Sequence, residues 1–297
     1  MSRAWPLLIA YACWSAAGFA LFGAAYKQTS DARKCADAVN RIVSLAPELT
    51  ETLFSLGLQD QVVGVTIHCN YPPQAQTKPK IGTFWQPNIE AVIGVKPDLV
   101  VTLNLAQQKD TADRLARIGY TCLTVNLETV SDLFKAITEI GAATGRPSRA
   151  QELVLQIRSD LSGLAGIACA EAKPKVLWVV QREPLRIAGQ KTFINEIIEL
   201  AGGRNAIGPA PYMYPPIGAE QLIASGPDVI IETAVGPTSL AEQQTRALLF
   251  WSKYQNMPAV LNKRIYVIDP DAVSRLGPRL PHGVETVAEC LRGGNLQ

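Results

Sequence analysis

Histidine is almost missing from this chain: His68 and His282 are the only two in 297 residues. A zinc site built on three histidines is excluded, and capacity for general-base chemistry is thin. Six cysteines are scattered without a CxxC pair, which excludes a zinc ribbon or a thioredoxin-type centre. Cys13 falls in an apolar leader. Cys35, Cys69, Cys122, Cys169 and Cys290 form an odd, widely spaced set, unlike a dense disulfide framework. That spacing leaves room for one bridge involving Cys35 or Cys169, with no pairing assigned. No lysine or arginine run occurs and the formal net charge is only +2, so the basic face that nucleic acid demands is absent. G-x-S-x-G, P-loop and G-x-G-x-x-G signatures are also missing, and the expectation is that the chain is not an enzyme. Its nearest paired carboxylates, Glu48 and Glu51 in ELTE, lie at helical i,i+3 spacing and read as a solvated helix face.

What is present begins with an uncharged run, AWPLLIAYACWSAAGFALFGAAY, between Arg3 and Lys27. A basic start, an apolar stretch and small residues near Ala25 suit a secretory signal over residues 1–26. The run is also close to the roughly 20 residues that span a bilayer, so an N-terminal membrane anchor is the other reading. Neither Cys13 nor Cys35 follows a lipobox. A chain of this length calls for more than one domain. Beyond the leader, apolar strand-like runs such as RIVSL, QVVGVT, LVVTL and TCLTV alternate with helical patterns. Continuous apolar strands alternating with helices predict parallel sheets covered on both faces, hence an α/β fold of doubly wound lobes.

The second half repeats the order with KVLWVV, TFINEIIELAGG, VIIET and RIYVID. One frame occurs twice: NIEAVIGVKPDLVV at 88–101 and GAEQLIASGPDVII at 218–231 match at Glu90 and Glu220, Ile93 and Ile223, and Pro97-Asp98 and Pro227-Asp228. Between the copies, Leu153, Val154, Ile157, Leu161 and Leu164 follow a 3.6-residue period, which predicts one long helix over 147–167. The organisation expected is an N-terminal lobe at 37–144, a connecting helix at 145–172 and a C-terminal lobe at 173–297. The ligand cleft lies between the lobes. One helical connector limits how far such lobes separate.

RIVSLAPELTETLFSLGL, NYPPQAQTKPKIGTFWQPNIEAVIGVKPDLVV, the helical connector and the late SRLGPRLPHGVETV resemble a periplasmic substrate-binding protein of an ABC importer. The resemblance is narrower still to the helical-backbone class that serves cobalamin, siderophores and haem. NYPP followed by a tryptophan ahead of the Asn-x-Glu helix is most similar to the cobalamin-binding members. The resemblance implies that one surface glutamate per lobe, here Glu90 and Glu220, docks onto arginines of a permease dimer. It implies a monomer with no cofactor of its own, carrying a cobalt corrinoid outside the cytoplasm, soluble after signal cleavage or tethered by the leader. A ferric siderophore or haem on the same fold, or a tethered scavenger without an importer, stands as the alternative.

A large flat ligand needs aromatic walls and a few polar contacts. Phe84 and Trp85 precede the first glutamate helix, and Tyr212, Met213 and Tyr214 precede the second at a similar offset, one cluster for each lip of the cleft. Tyr71 follows HCN in a segment that only the first lobe carries. His68 in the same segment is a candidate for a pocket-edge hydrogen bond or an axial nitrogen. Asn104, Gln181 and Arg182 stand at strand ends, where doubly wound sheets hold ligands. Arg275 and Arg279 in VSRLGPRLPHG are candidates for binding a carboxylate or phosphate.

Overall fold

The computed structural model describes residues 39–167 and 173–294. The expected leader, together with Cys13, Cys35 and Cys169, lies outside the described residues. In the N-terminal lobe the aliphatic runs form β1 (Ile42–Ser44), β2 (Val62–Val65), β3 (Leu99–Leu103) and β4 (Cys122–Val125), all parallel in the order β2-β1-β3-β4. Helices α1 (Pro47–Ser55), α2 (Ile89–Gly94) and α3 (Ala106–Arg117) alternate with them, and α4 (Val130–Ala143) follows β4. Thr129 starts α4 with a full capping box: its hydroxyl accepts from the Asp132 N–H, and the Asp132 carboxylate accepts from the Thr129 N–H.

Helix α5 (Pro147–Ile167) runs 21 residues and leads to the second lobe. Its periodic residues Ile157 and Leu161 are buried, with Leu153, Val154 and Leu164 partly covered. The C-terminal lobe contains β5 (Lys175–Arg182), β6 (Leu185–Ile187), β7 (Arg204–Asn205), β8 (Val229–Thr233) and β9 (Ile265–Ile268). Its helices are α6 (Phe193–Leu200), α7 (Ala219–Ser225), α8 (Leu240–Trp251), α9 (Pro258–Leu261), α10 (Pro270–Val273) and α11 (Leu280–Arg292). This sheet runs β6-β5-β8-β9, with β7 pairing β5. It is mixed rather than wholly parallel. A turn at residues 183–184 folds β6 back antiparallel on the end of β5, so a strand too short to show a pattern joins the sheet.

The repeated frame has a backbone meaning that its letters only hinted at. Asp98 and Asp228 do the same work in the two lobes. The Asp98 carboxylate accepts from the N–H groups of Asn40 and Arg41 at 3.0 and 2.9 Å, just ahead of β1. The Asp228 carboxylate accepts from the Lys175 N–H at 2.8 Å, at the start of β5. Each aspartate N–H in turn donates to a carbonyl on that neighbour, Arg41 or Lys175, at 2.8 Å. Lys96 (φ 46°) and Gly226 (φ 50°) occupy the same left-handed turn before the two Pro-Asp pairs. The motif therefore stitches the chain leaving each glutamate helix to the start of an interior strand, β1 or β5.

One apolar core continues from lobe to lobe. It joins Leu49 and Leu53 of α1, Ile137 and Ile140 of α4, Ile157 of α5, Trp178 of β5, and Val284 and Val287 of α11. Where α4 meets α5 the helices approach so closely that a Cβ built on Gly141 would lie 2.3 Å from the Ala150 Cβ. Gly141→Val should force the pair apart and lower stability by about 1–3 kcal/mol in urea unfolding. A variant as stable as the parent would show that this seam is loose.

Candidate functional site

At the lobe boundary the first turn of α1 faces the loop between α10 and α11, and here the reading of Glu48 and Glu51 as a solvated face is corrected. Glu51 is only 3% exposed. The Arg279 Nη2 and Nε donate to its two carboxylate oxygens at 2.6 and 2.9 Å. Arg275 stands 3.9 Å from the same carboxylate. The helical spacing was correct, but the face meets another lobe instead of water, and the partner lies 228 residues away in sequence. A carboxylate so enclosed is tolerable only with a cation bonded to it. Glu51 in return holds the Arg279 guanidinium still more firmly in its charged form.

This cluster reaches the segment that only the first lobe carries. Arg275 Nη1 donates to the Asn70 side-chain oxygen at 2.5 Å, and Asn70 Nδ2 donates to the Asp271 carboxylate at 2.7 Å. The Arg279 guanidinium lies 4.1 Å over the Tyr71 ring. His68 is exposed, and its Nδ1 accepts from the Phe84 N–H at 3.2 Å. In the neutral ring that bond leaves the proton on Nε2, which then faces outward as a donor rather than as a free lone pair.

The aromatic candidates divide by exposure. Trp85 is 61% exposed and meets Phe84 edge to face at 4.7 Å, while Phe84 itself packs on the core. Tyr71 is exposed, and Tyr212 is 67% exposed. Tyr214 is half-buried against the core, and burial raises its phenol above the ordinary value. Its loop is tied down by the Gly189 N–H donating to the Met213 carbonyl at 2.8 Å and by Arg186 donating to the Tyr214 carbonyl at 3.2 Å. Asn104 is exposed at the end of β3, its N–H donating to the Val125 carbonyl.

In the C-terminal lobe the ends of β5 and β8 frame a cavity of about 480 Å³ beside α8, lined by Val180, Gln181, Arg182, Thr233 and Arg246 among others. Gln181 is exposed, while Arg182 is committed inside the lobe. Its Nη2 donates to the Glu232 carboxylate at 2.6 Å, and the same carboxylate accepts from the Trp251 indole N–H at 2.6 Å. The folded chain thus joins His68, Phe84, Tyr71, Arg275 and Arg279 through direct contacts. Gln181 and Arg182 form a separate group at the cavity, and no bond links Asn104 or Tyr212 to either group among the described residues.

Glu48, half-buried next to Glu51, titrates unusually. Loss of hydration raises its carboxyl from the ordinary 4.5 to about 7; its own backbone hydrogen bond and Arg275 pull down, while Glu51 pushes up. The folded chain therefore holds a proton that the unfolded chain has released between pH 4.5 and about 7, so the Glu48 contribution to stability falls as pH rises through that window. Unfolding temperatures across this range should show the loss in the parent and not in Glu48→Gln, with the two slopes parallel above about pH 7. Parallel slopes throughout would refute the shift.

The family model described as "Periplasmic binding protein" matches residues 42–272. The chain is 34% identical over 258 residues to the ABC transporter substrate-binding lipoprotein YvrC of Bacillus subtilis (strain 168), covering 84% of this chain and 79% of that protein. Its fold matches the periplasmic vitamin B12 binding protein BtuF of Vibrio cholerae with a TM-score of 0.73 at 25% identity, over 87% of this chain and 99% of BtuF. It also matches the periplasmic heme-binding protein RhuT from Roseiflexus sp. RS-1, with a TM-score of 0.76 at 25% identity, over 86% and 99% of the two chains. An enclosed ionic seam between two α/β lobes on a single helical connector is thus set within a known architecture, and the chain belongs to the periplasmic binding protein family, as a non-enzymatic substrate-binding protein of ABC transporter type.

Proposed function

We propose that this protein captures a corrinoid, cobalamin or cobinamide-like, between its lobes and delivers it to an ABC permease through Glu90 and Glu220. The observation that carries the ligand reading is a contrast in how the cleft residues are occupied. Each candidate arginine already has a carboxylate partner: Arg182 has Glu232, Arg275 has Asp271 and Arg279 has Glu51. The aromatic side chains of Trp85 and Tyr212, by contrast, stand exposed. A ligand rich in carboxylates would have to compete with bonded internal counter-ions. A broad, flat molecule with an amide rim needs the aromatic area and asks less of the cations. The vitamin B12-binding relative supports this choice. Haem is the second reading, favoured by two exposed phenols of the kind that ligate haem iron and by the heme-binding relative.

Glu90 and Glu220 are exposed in the first turns of α2 and α7, without an ion-pair partner among the described residues. Asn88 caps α2 by accepting from the Ala91 N–H at 3.0 Å. Two carboxylates held on stitched, duplicated helices suit a two-point dock that fixes orientation and speeds encounter. In this reading the lobes stand outside the cytoplasmic membrane, released by cleavage of the leader or held by it.

Titration of the purified protein with cyanocobalamin or dicyanocobinamide should give submicromolar binding and a shifted visible spectrum. Tight haem binding without corrinoid binding would replace the ligand reading with its alternative. Trp85→Ala should cost roughly 2 kcal/mol of affinity, about thirtyfold, with the unfolding temperature unchanged. Unchanged affinity would remove Trp85 from the site. Joint replacement, Glu90→Ala with Glu220→Ala, should leave ligand binding intact while abolishing uptake into vesicles carrying the permease. Retained uptake would count against docking through these two glutamates.

A further inference from the structure

The lip of the N-terminal lobe, residues 67–73, is bonded both to its own lobe and across the boundary. The Ile67 N–H donates to the Gly82 carbonyl at 3.0 Å and the Phe84 N–H to His68 at 3.2 Å. Cys69 is buried beneath, its sulfur taking the Thr50 hydroxyl at 3.1 Å. On its outer side the Asn70 carbonyl accepts from Gln76 Nε2 of its own lobe at 2.9 Å, while the Asn70 side chain and the His68 carbonyl are taken by the other lobe. Asn70 is held at both ends of its amide, by Arg275 at 2.5 Å and Asp271 at 2.7 Å. The His68 carbonyl accepts from Arg275 at 3.4 Å, and Arg279 covers Tyr71 at 4.1 Å. Both arginines are aimed by Glu51, which lies beneath them on α1. Arg275 and Arg279 sit either side of Gly277, which rests on the first turn of α1 with its would-be Cβ 3.5 Å from Glu51 Oε2.

We propose that Glu51 and Arg279 are positioning residues for the ligand. Acting through Arg275, Asn70 and the Tyr71 ring, they latch the 67–73 lip to the C-terminal lobe and so set how long a ligand is retained. Among the described residues the segment IHCNYPP occurs in the N-terminal lobe alone, so the latch holds one lobe's lip only. Its role in retention rests on the corrinoid reading above. A lip held in one place by bonds across the boundary need not be ordered again when ligand arrives, and release requires those bonds to open.

The test measures the lip by itself and then with a probe. Two variants keep it decisive: Arg279→Lys retains a cation for Glu51 but loses the two-pronged contact, and Asn70→Ala removes only exposed side-chain atoms. In the full ligand-free protein, hydrogen exchange at the amides of Ile67, Cys69 and Phe84 should speed up in both variants while that of β3 stays unchanged. Dicyanocobinamide should then dissociate about tenfold faster, with its association rate unchanged. A general loss of folding would lower protection in β3 as well, which separates the latch from simple destabilisation. Unchanged lip exchange in Asn70→Ala overturns the latch, and faster exchange with unchanged dissociation overturns its role in retention. Failure of the parent to bind the probe rejects the corrinoid reading and with it the retention role; the lip exchange then decides the latch alone.

Discussion

A carboxylate enclosed between two lobes governs this structure. Glu51 is nearly sealed from water and attached to the first helix of the N-terminal lobe, while the guanidinium that makes it tolerable stands just ahead of the last helix of the C-terminal lobe. Glu51 has no cation of its own lobe bonded to it among the described residues, so the lobes are bound to a common geometry by electrostatic need as well as by the apolar core beneath. The other features of the boundary follow from this pair. Arg275 is drawn close, Asn70 is gripped, Tyr71 is covered, and Glu48 is left in a poorly hydrated place where its proton is hard to lose.

The duplication supplies a scaffold that is symmetric where symmetry is useful. Asp98 and Asp228 anchor each glutamate helix to the neighbouring strand, and the turns at Lys96 and Gly226 bring both chains into the sheets in the same manner. Glu90 and Glu220 are thereby carried on equivalent mounts at the surface. The lobes depart from that symmetry where the candidate ligand residues stand. One lobe contributes a lip pinned from across the boundary, and the other a cavity lined by a half-buried arginine bonded to Glu232.

Much of the fold was legible because its signals are local. Helices α3 and α7 and strands β3 and β8 fall where periodicity and the repeated frame put them, and the burial of Ile157 and Leu161 follows the spacing along α5. What was not legible depended on distant partners. The hairpin strand β6 has three residues, too few for a pattern. Arg182 and Arg279 looked like free cations at strand and loop ends, since nothing near them in sequence announces Glu232 or Glu51. The work of the aspartates in the two Pro-Asp pairs, which bond the chain at the starts of β1 and β5, likewise depends on partners distant in sequence.

The sequence by itself determined the two lobes, the helical connector, the exposed glutamate pair and the aromatic candidates, because apolar period, capping and internal repetition act over a few residues at a time. Only the tertiary structure decided which charges are available to a ligand. Whether a carboxylate or guanidinium is free depends on what folds against it, and here the decisive partners are separated by 50 residues at Arg182 and Glu232 and by 228 at Arg279 and Glu51. The same sequence spacing that would place Glu51 in water places it in a seam once a second lobe is packed on that helix.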